Sequence, residues 1–287
     1  MSPEPVTLPG TRQALVEARA TGQTYRLYLA LPKAEPPPAG FPVLYMLDAN
    51  ASFATMAQTM AVLSIWSSTG VVPMVIVGIG YPTEDAFDGV RRGFDYTPAG
   101  LPDGTPQDHA HLLPYPMGGA EPFQRFIEDE VKPWAEAQVP IDRARQALLG
   151  HSFGGLFVLH ALFTAPGTFT SYIAASPSIT WGEPAIHALE ARFSADATGR
   201  PPLRLLATAG EYEQKLAPYE LGLPEAEATL ARLERFAMID QARALVGRLN
   251  ALERPWLTAE FRELADNGHM SLVPSSASLS LRFASAA

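Results

Sequence analysis

Within the run Gln146-Ala147-Leu148-Leu149-Gly150-His151-Ser152-Phe153-Gly154-Gly155-Leu156, the pentapeptide Gly150-His151-Ser152-Phe153-Gly154 has the form Gly-x-Ser-x-Gly. A serine that attacks a carbonyl must project from a very tight strand-to-helix turn with strained backbone angles. Small residues on either side, here Gly150 and Gly154, allow neighbouring backbone to come close. The amides that open the following helix can then face the oxygen that becomes negative. The pentapeptide alone is weak, since a chain of this length holds one by chance roughly one time in ten. Its surroundings strengthen it: Leu148 and Leu149 end an apolar run, and Leu156, Leu159, Leu162 and Phe163 recur at helical spacing. The plain alternative is an ordinary glycine-rich junction between a strand and a helix.

A serine hydroxyl needs a base, and the base needs an acid to orient it. At an elbow of this kind the chain order is serine, then acid, then histidine, each at the carboxyl end of a strand. After Ser152 the histidines are His160, His187 and His269. His160 falls two turns along the helix that Ser152 would open, and His187 lies in a helical run, whereas His269 follows the last strand in a glycine-containing loop. His269 is therefore the expected base. For the acid, the strand at 203–208 runs into Ala209-Gly210-Glu211-Tyr212-Glu213. Two carboxylates compete there, and the spacing Gly-x-x-acid favours Glu213 over Glu211. The oxyanion needs two backbone amides. Phe153, next after the serine, supplies one, and the loop that ends the first central strand supplies the other, most naturally at Asn50. Asp48 in that loop is a candidate to hold it through a side-chain to backbone hydrogen bond.

The composition is that of a compact globule, with 47% apolar and 18% charged residues in 287. A net charge of -9 argues against sequence-independent nucleic-acid binding, which needs a basic surface. The absence of cysteine excludes disulfides, thiolate metal sites and cysteine nucleophiles. The pair His109-x-His111 has no nearby partner and reads as loop polarity rather than a metal site, so neither metal nor organic cofactor is expected. The N-terminus lacks a secretory pattern, and the longest apolar run, residues 71–79, is far short of a membrane span. The expectation is a cytoplasmic protein as the sequence stands, or a periplasmic one if an export signal has been removed.

The elements that would carry these residues follow an alternating pattern. Residues 13–31 alternate apolar and polar in two runs around a turn, which predicts an antiparallel hairpin at a sheet edge. Continuous apolar runs at 41–47 and 71–80 predict central strands buried on both faces, with a helix at 53–66 between them. Periodicity is lost over 81–119, a stretch expected to form a wall of the site. A helix at 120–134, the elbow strand and helix, short strands at 172–176 and 203–208, a long helix at 225–252 and a strand at 257–261 complete the pattern. The fold class is α/β: a mostly parallel central sheet with helices on both faces and an antiparallel N-terminal hairpin, in one domain over residues 1–287.

Four blocks carry a resemblance: Leu44-Tyr45-Met46-Leu47-Asp48-Ala49-Asn50, Val77-Gly78-Ile79-Gly80-Tyr81, Arg92-Gly93-Phe94-Asp95-Tyr96-Thr97-Pro98, and the elbow followed by Ala175-Ser176-Pro177-Ser178. Together they resemble the Putative esterase family of α/β hydrolases, and within it the siderophore esterases that open the trilactone of enterobactin and salmochelin. The resemblance implies Ser152 as nucleophile, His269 as base, an oxyanion amide at Asn50, and Arg92 facing the substrate, where a guanidinium suits an anionic ferric catecholate. An internal pair of Arg92 with Asp95 is the competing reading. Ala49 stands where the family usually has glycine, which would narrow the oxyanion loop, and some siderophore esterases do not rely on a third triad member. The expected function is a serine esterase acting on a small-molecule ester, a catecholate trilactone. The alternatives are a general short-chain carboxylesterase and a non-catalytic protein that binds a ferric siderophore.

Overall fold

The computed structural model describes residues 3, 4, 6–100 and 116–286, so His109 and His111 lie outside the described residues. Among the described residues eight strands form one sheet: β1 (Thr11–Glu17), β2 (Thr24–Ala30), β3 (Phe41–Met46), β4 (Val75–Gly80), β5 (Ile141–His151), β6 (Ser171–Ala175), β7 (Leu203–Gly210) and β8 (Leu257–Leu264). Their order is β1-β2-β4-β3-β5-β6-β7-β8. The β1–β2 and β2–β4 pairs are antiparallel and every other pair is parallel, as expected for an α/β-hydrolase sheet with an N-terminal hairpin. Sequence accounts for the difference between strands. Every residue of β3, β4 and β6 is buried and nearly all are apolar, so these strands need cover on both faces. In β1 exposed and half-buried positions alternate, as suits an edge.

Helices α1 (Ala49–Leu63) and α10 (Ala277–Ser285), with the short α9 (Leu272–Ser275) beside them, cover one face, where Met56, Met60 and Leu281 pack on Leu44, Ile76 and Ile173. On the other face lie α3 (Ala120–Phe126), the short α4 (Lys132–Glu136), α5 (Phe153–Thr164), α6 (Ala185–Ala195) and α8 (Met238–Asn250). Residues 153–163 of α5 are all buried, which makes the helix behind the elbow part of the core rather than a surface element. Each fully buried leucine or phenylalanine there contributes about 1.5–3 kcal/mol relative to exposure. The chain leaves β3 toward β4 on one side and returns to β5 on the other. The crevice above the carboxyl ends of β3 and β5 is therefore a topological switch point, the place where open α/β sheets take ligands.

Several boundaries differ from expectation for identifiable reasons. Helix α1 opens at Ala49 rather than at residue 53, because Asp48 adopts a left-handed conformation (φ 50°) and turns the chain straight from strand into helix. β4 begins at Val75 rather than at residue 71, just beyond Pro73, which has no N–H for a ladder. The stretch expected to lack regular structure contains a short helix, α2 (Gly89–Asp95), started by Asp88, whose carboxylate accepts from the Arg91 amide at 3.0 Å. The single long helix expected over 225–252 is two, α7 (Ala226–Phe236) and α8, broken at Ala237 with φ 46°. The C-terminal helix α10 was not anticipated. Among the described residues no helix is long and apolar enough to cross a membrane.

Candidate active site

Ser152 stands between β5 and α5 with φ 62° and ψ -117°, a region that a non-glycine residue enters only when its surroundings hold it there. The holding groups are visible. The Ser152 amide donates to the Ala175 carbonyl at 2.9 Å, and the Ser152 carbonyl accepts from the amides of Leu156 and Ser178 at 3.0 and 3.1 Å. Gly150 is required, since a Cβ there would sit 2.2 Å from the Gly154 carbonyl oxygen. The second position that must be small is not Gly154, as the pentapeptide suggested, but Gly155. A Cβ at 154 would make ordinary 3.6 Å contacts, whereas one at 155 would lie 2.9 Å from the Ala175 oxygen.

The loops after β7 and β8 bring the expected acid and base together. His269 Nδ1 lies 3.0 Å from Glu213 Oε2. Because the carboxylate can only accept, Nδ1 carries the proton, and Nε2 of the neutral ring is left with its lone pair. The other carboxylate oxygen, Oε1, accepts from Ser176 Oγ at 2.5 Å and from the Gly210 amide at 2.7 Å. Glu213 is thus fully buried with both oxygens engaged. Glu211 does something else. It is paired with Lys215 and accepts from the Asp266 amide, tying down the start of the His269 loop. His160 is buried within α5, where loss of solvation pushes its pKa down to about 4, and His187, on α6, is paired with Glu190 of the same helix and with Glu183 just before it.

Ser152 Oγ makes its hydrogen bond with Ser178 Oγ, at 3.1 Å, and among the described residues none joins it to His269. Such bonds are commonly long or unformed without substrate. Ser152 and the His269 ring are both partly open to solvent. A cavity of about 20 Å³ lies behind the elbow, lined by Asp48, Gly150, His151 and Ser276, with room for no more than a water. A groove of about 1070 Å³, lined by Gln124, His160, Phe163 and Leu189, contains none of these groups.

Phe153 and Asn50 each stand in the first turn of a helix, α5 and α1, where N–H groups have no intrahelical acceptor. The Asn50 side chain is fixed by donating to the Tyr81 and Thr83 carbonyls at 3.0 and 2.9 Å and accepting from the Tyr81 amide at 2.8 Å. The Ala49 methyl fits because its neighbour on β4 is Gly78, whose missing Cβ would lie 2.6 Å from it.

Arg92 and Asp48 require correction. Arg92 pairs with Asp48 and not with Asp95. Arg92 donates through Nε and Nη2 to the two Asp48 carboxylate oxygens at 3.0 and 2.9 Å, and through Nη2 to the His151 carbonyl at 3.3 Å. Only 11% of the Arg92 side chain and 5% of Asp48 are exposed. Burial opposes the guanidinium charge, but the Asp48 carboxylate more than offsets this and raises its pKa. The Asp48 carboxylate thus binds a side chain rather than backbone. Asp95 instead accepts from the hydroxyls of Tyr25 and Tyr81, at 2.9 and 3.2 Å.

With this geometry in view, the comparisons with known proteins are decisive. The model of the Putative esterase family matches residues 18–253. The chain belongs to the Putative esterase family. It is 39% identical over 280 residues to the ferri-bacillibactin esterase BesA of Bacillus subtilis, a match covering 97% of this chain and 90% of that protein. It is 36% identical over 249 residues to a siderophore enterobactin esterase of Emericella nidulans, covering 80% and 77% of the two chains. The BES protein of Bacillus cereus superposes with a TM-score of 0.83 at 32% identity, over 100% of this chain and 99% of that one. The siderophore hydrolase EstB of Aspergillus nidulans gives 0.85 at 29%, over 98% and 97%. This esterase is accordingly a serine hydrolase of the siderophore-esterase type, acting on ester bonds.

Two residues of the esterase site escaped sequence reasoning. Ser176 holds Glu213 and Ser178 touches Ser152, both from the Ala175-Ser176-Pro177-Ser178 turn. In the sequence this block carries only the family resemblance. A signal was available in its place directly after a central strand, beside the strand that ends in the nucleophile.

Proposed function

We propose that the protein hydrolyses a catecholate siderophore trilactone through a covalent acyl-serine. Ser152 Oγ turns from Ser178 toward His269, gives its proton to Nε2 and attacks the ester carbonyl. The amides of Phe153 and Asn50 hold the tetrahedral oxyanion, Glu213 stabilises the imidazolium, and His269 returns the proton to the leaving alcohol. Water activated by His269 then releases the acid. The observation that carries this reading is the His269–Glu213 bond, at 3.0 Å, beside the strained Ser152, in a chain similar to BesA over 97% of its length.

One observation favours a second reading, a general short-chain carboxylesterase. The arginine expected to pair with an anionic ferric catecholate is already engaged by Asp48. Turnover of a catecholate trilactone, with and without iron, compared with a p-nitrophenyl acyl ester and with Ser152→Ala as control, separates the two. A strong preference for the trilactone supports the siderophore reading. Turnover of the simple ester alone removes it and leaves the esterase mechanism standing.

A further inference from the structure

His151, the variable residue of the Gly-x-Ser-x-Gly pentapeptide, has a side chain that the mechanism above does not use. Its Nε2 lies 2.9 Å from the backbone carbonyl oxygen of His269. A carbonyl can only accept, so Nε2 carries a proton and donates it. The two imidazole rings lie with centroids 4.6 Å apart. On the other side, the His151 carbonyl accepts from Arg92, and Arg92 grips both carboxylate oxygens of Asp48. Asp48 is the left-handed residue that turns β3 into the helix carrying Asn50.

We infer that His151 is a positioning residue for catalysis: its Nε2–H anchors the His269 loop to the nucleophile strand and, through the Arg92–Asp48 pair, to the oxyanion loop. The inference rests on the roles proposed for Ser152 and His269. Three separately wound segments have to meet within a few tenths of an ångström at the reacting carbon, and each belongs to a different strand end. The base loop is also tied to the loop after β7, where Glu211 meets the Asp266 amide, and Tyr212 meets Asp266 and the Asn267 carbonyl. Glu213 of the same loop meets the His269 ring, and the base loop is tied within itself by Ser271 at Gly268. His151 is the tie that reaches it from β5. The ring is suited to the task because it stays uncharged. Burial, with the positive charge of Arg92 and the charge His269 takes on as an imidazolium, holds its pKa well below the usual histidine value. A neutral donor does not add a second positive charge when His269 becomes an imidazolium.

The atom used makes the test specific. A glutamine amide nitrogen extends about as far from the backbone as histidine Nε2, an asparagine amide reaches only as far as Nδ1, and phenylalanine fills the ring volume with no donor. We expect His151→Phe and His151→Asn to lower kcat on a p-nitrophenyl ester by about 10- to 100-fold, the range set by a misplacement of about 1 Å, with KM little changed. His151→Gln is expected to recover most of kcat, and the rate of Ser152 labelling by a fluorophosphonate should follow the same order. Melting temperatures identify any variant that is merely unfolded. If His151→Phe does not fold, the Gln and Asn pair alone decides. Equal kcat in Gln and Asn, or wild-type kcat in Asn, overturns the inference. Failure of the wild-type protein to label at Ser152 would instead overturn the underlying assignment of the nucleophile.

Discussion

Replacing Glu213 by glutamine changes one atom in a site where every neighbour restricts how the amide can lie. Oε1 accepts from Ser176 Oγ and from the Gly210 amide, so the amide oxygen has to occupy that side. The NH2 group is then forced onto His269 Nδ1, 3.0 Å from the position it takes. Two N–H groups cannot share that line. The imidazole has to move its proton to Nε2, which leaves no lone pair there to take the proton of Ser152. In serine proteases the corresponding acid-to-amide change lowers kcat by about 10⁴-fold, and we expect a loss of about 10³–10⁴-fold here, equivalent to about 4–5.5 kcal/mol of transition-state stabilisation. KM should change little, because the carboxylate is buried and does not reach the substrate. The assay is steady-state hydrolysis of a p-nitrophenyl ester, with thermal unfolding to show that the variant folds. Activity within tenfold of wild type would refute the reasoning and would leave a Ser152–His269 dyad, as the resemblance to some siderophore esterases allows.

Arg92→Met leaves the Asp48 carboxylate buried without its partner and should destabilise the fold by about 3–5 kcal/mol, measured by denaturant unfolding. An unchanged midpoint with a raised KM would show instead that Arg92 meets the substrate. Asp95 gives a pH dependence. Burial raises its pKa from 3.8 to about 6, against the hydrogen bonds of Tyr25 and Tyr81 and the charge of Arg91. The folded state therefore holds this proton more tightly than the unfolded state, and stability should fall by up to about 3 kcal/mol as pH rises from about 4 to about 6, then level off. Asp95→Asn, whose single amide oxygen can accept from both tyrosines, should remove that slope and be more stable than wild type at pH 7. A slope unchanged in the variant would assign it to other groups. Gly150→Ala should cost about 1–3 kcal/mol or more, because the obstructing atom is backbone. Gly154→Ala should be nearly neutral in unfolding measurements, and an equal effect at the two positions would contradict the steric reading of the elbow.

The parts of this site that were legible in the sequence are those set by local pattern. Continuous apolar runs mark β3 and β4 because a strand buried on both faces has no polar alternation. The elbow is legible because strand, glycine, serine and helix stand in one short stretch. His269 and the carboxylate pair could be placed by chain order after successive strands. The Gly-x-x-acid spacing points to Glu213 rather than Glu211, the former being the carboxylate that meets His269, but it does not reveal the partners that hold each one, because several of those come from distant parts of the folded chain. Ser176 and Gly210 meet Glu213, and Lys215 meets Glu211. The Arg92–Asp48 pair joins residues 44 positions apart, and neither has a local signal that separates it from Asp95, three residues from Arg92. Helix α2 was hidden by its length, for seven residues with Gly at both its first and fifth positions have little periodicity to detect. The break at Ala237 was hidden because alanine, the best helix former, gives no local signal of the left-handed conformation it adopts there.

In the proposed mechanism Ser152 becomes acylated during turnover. The direct measurement is mass spectrometry of protein quenched with acid while it turns over a catecholate trilactone, followed by mapping of the peptide that contains residues 150–155. The expected result is one acyl group per chain on Ser152, absent from Ser152→Ala together with the activity. An unmodified Ser152 peptide, with hydrolysis continuing in Ser152→Ala, would contradict the account.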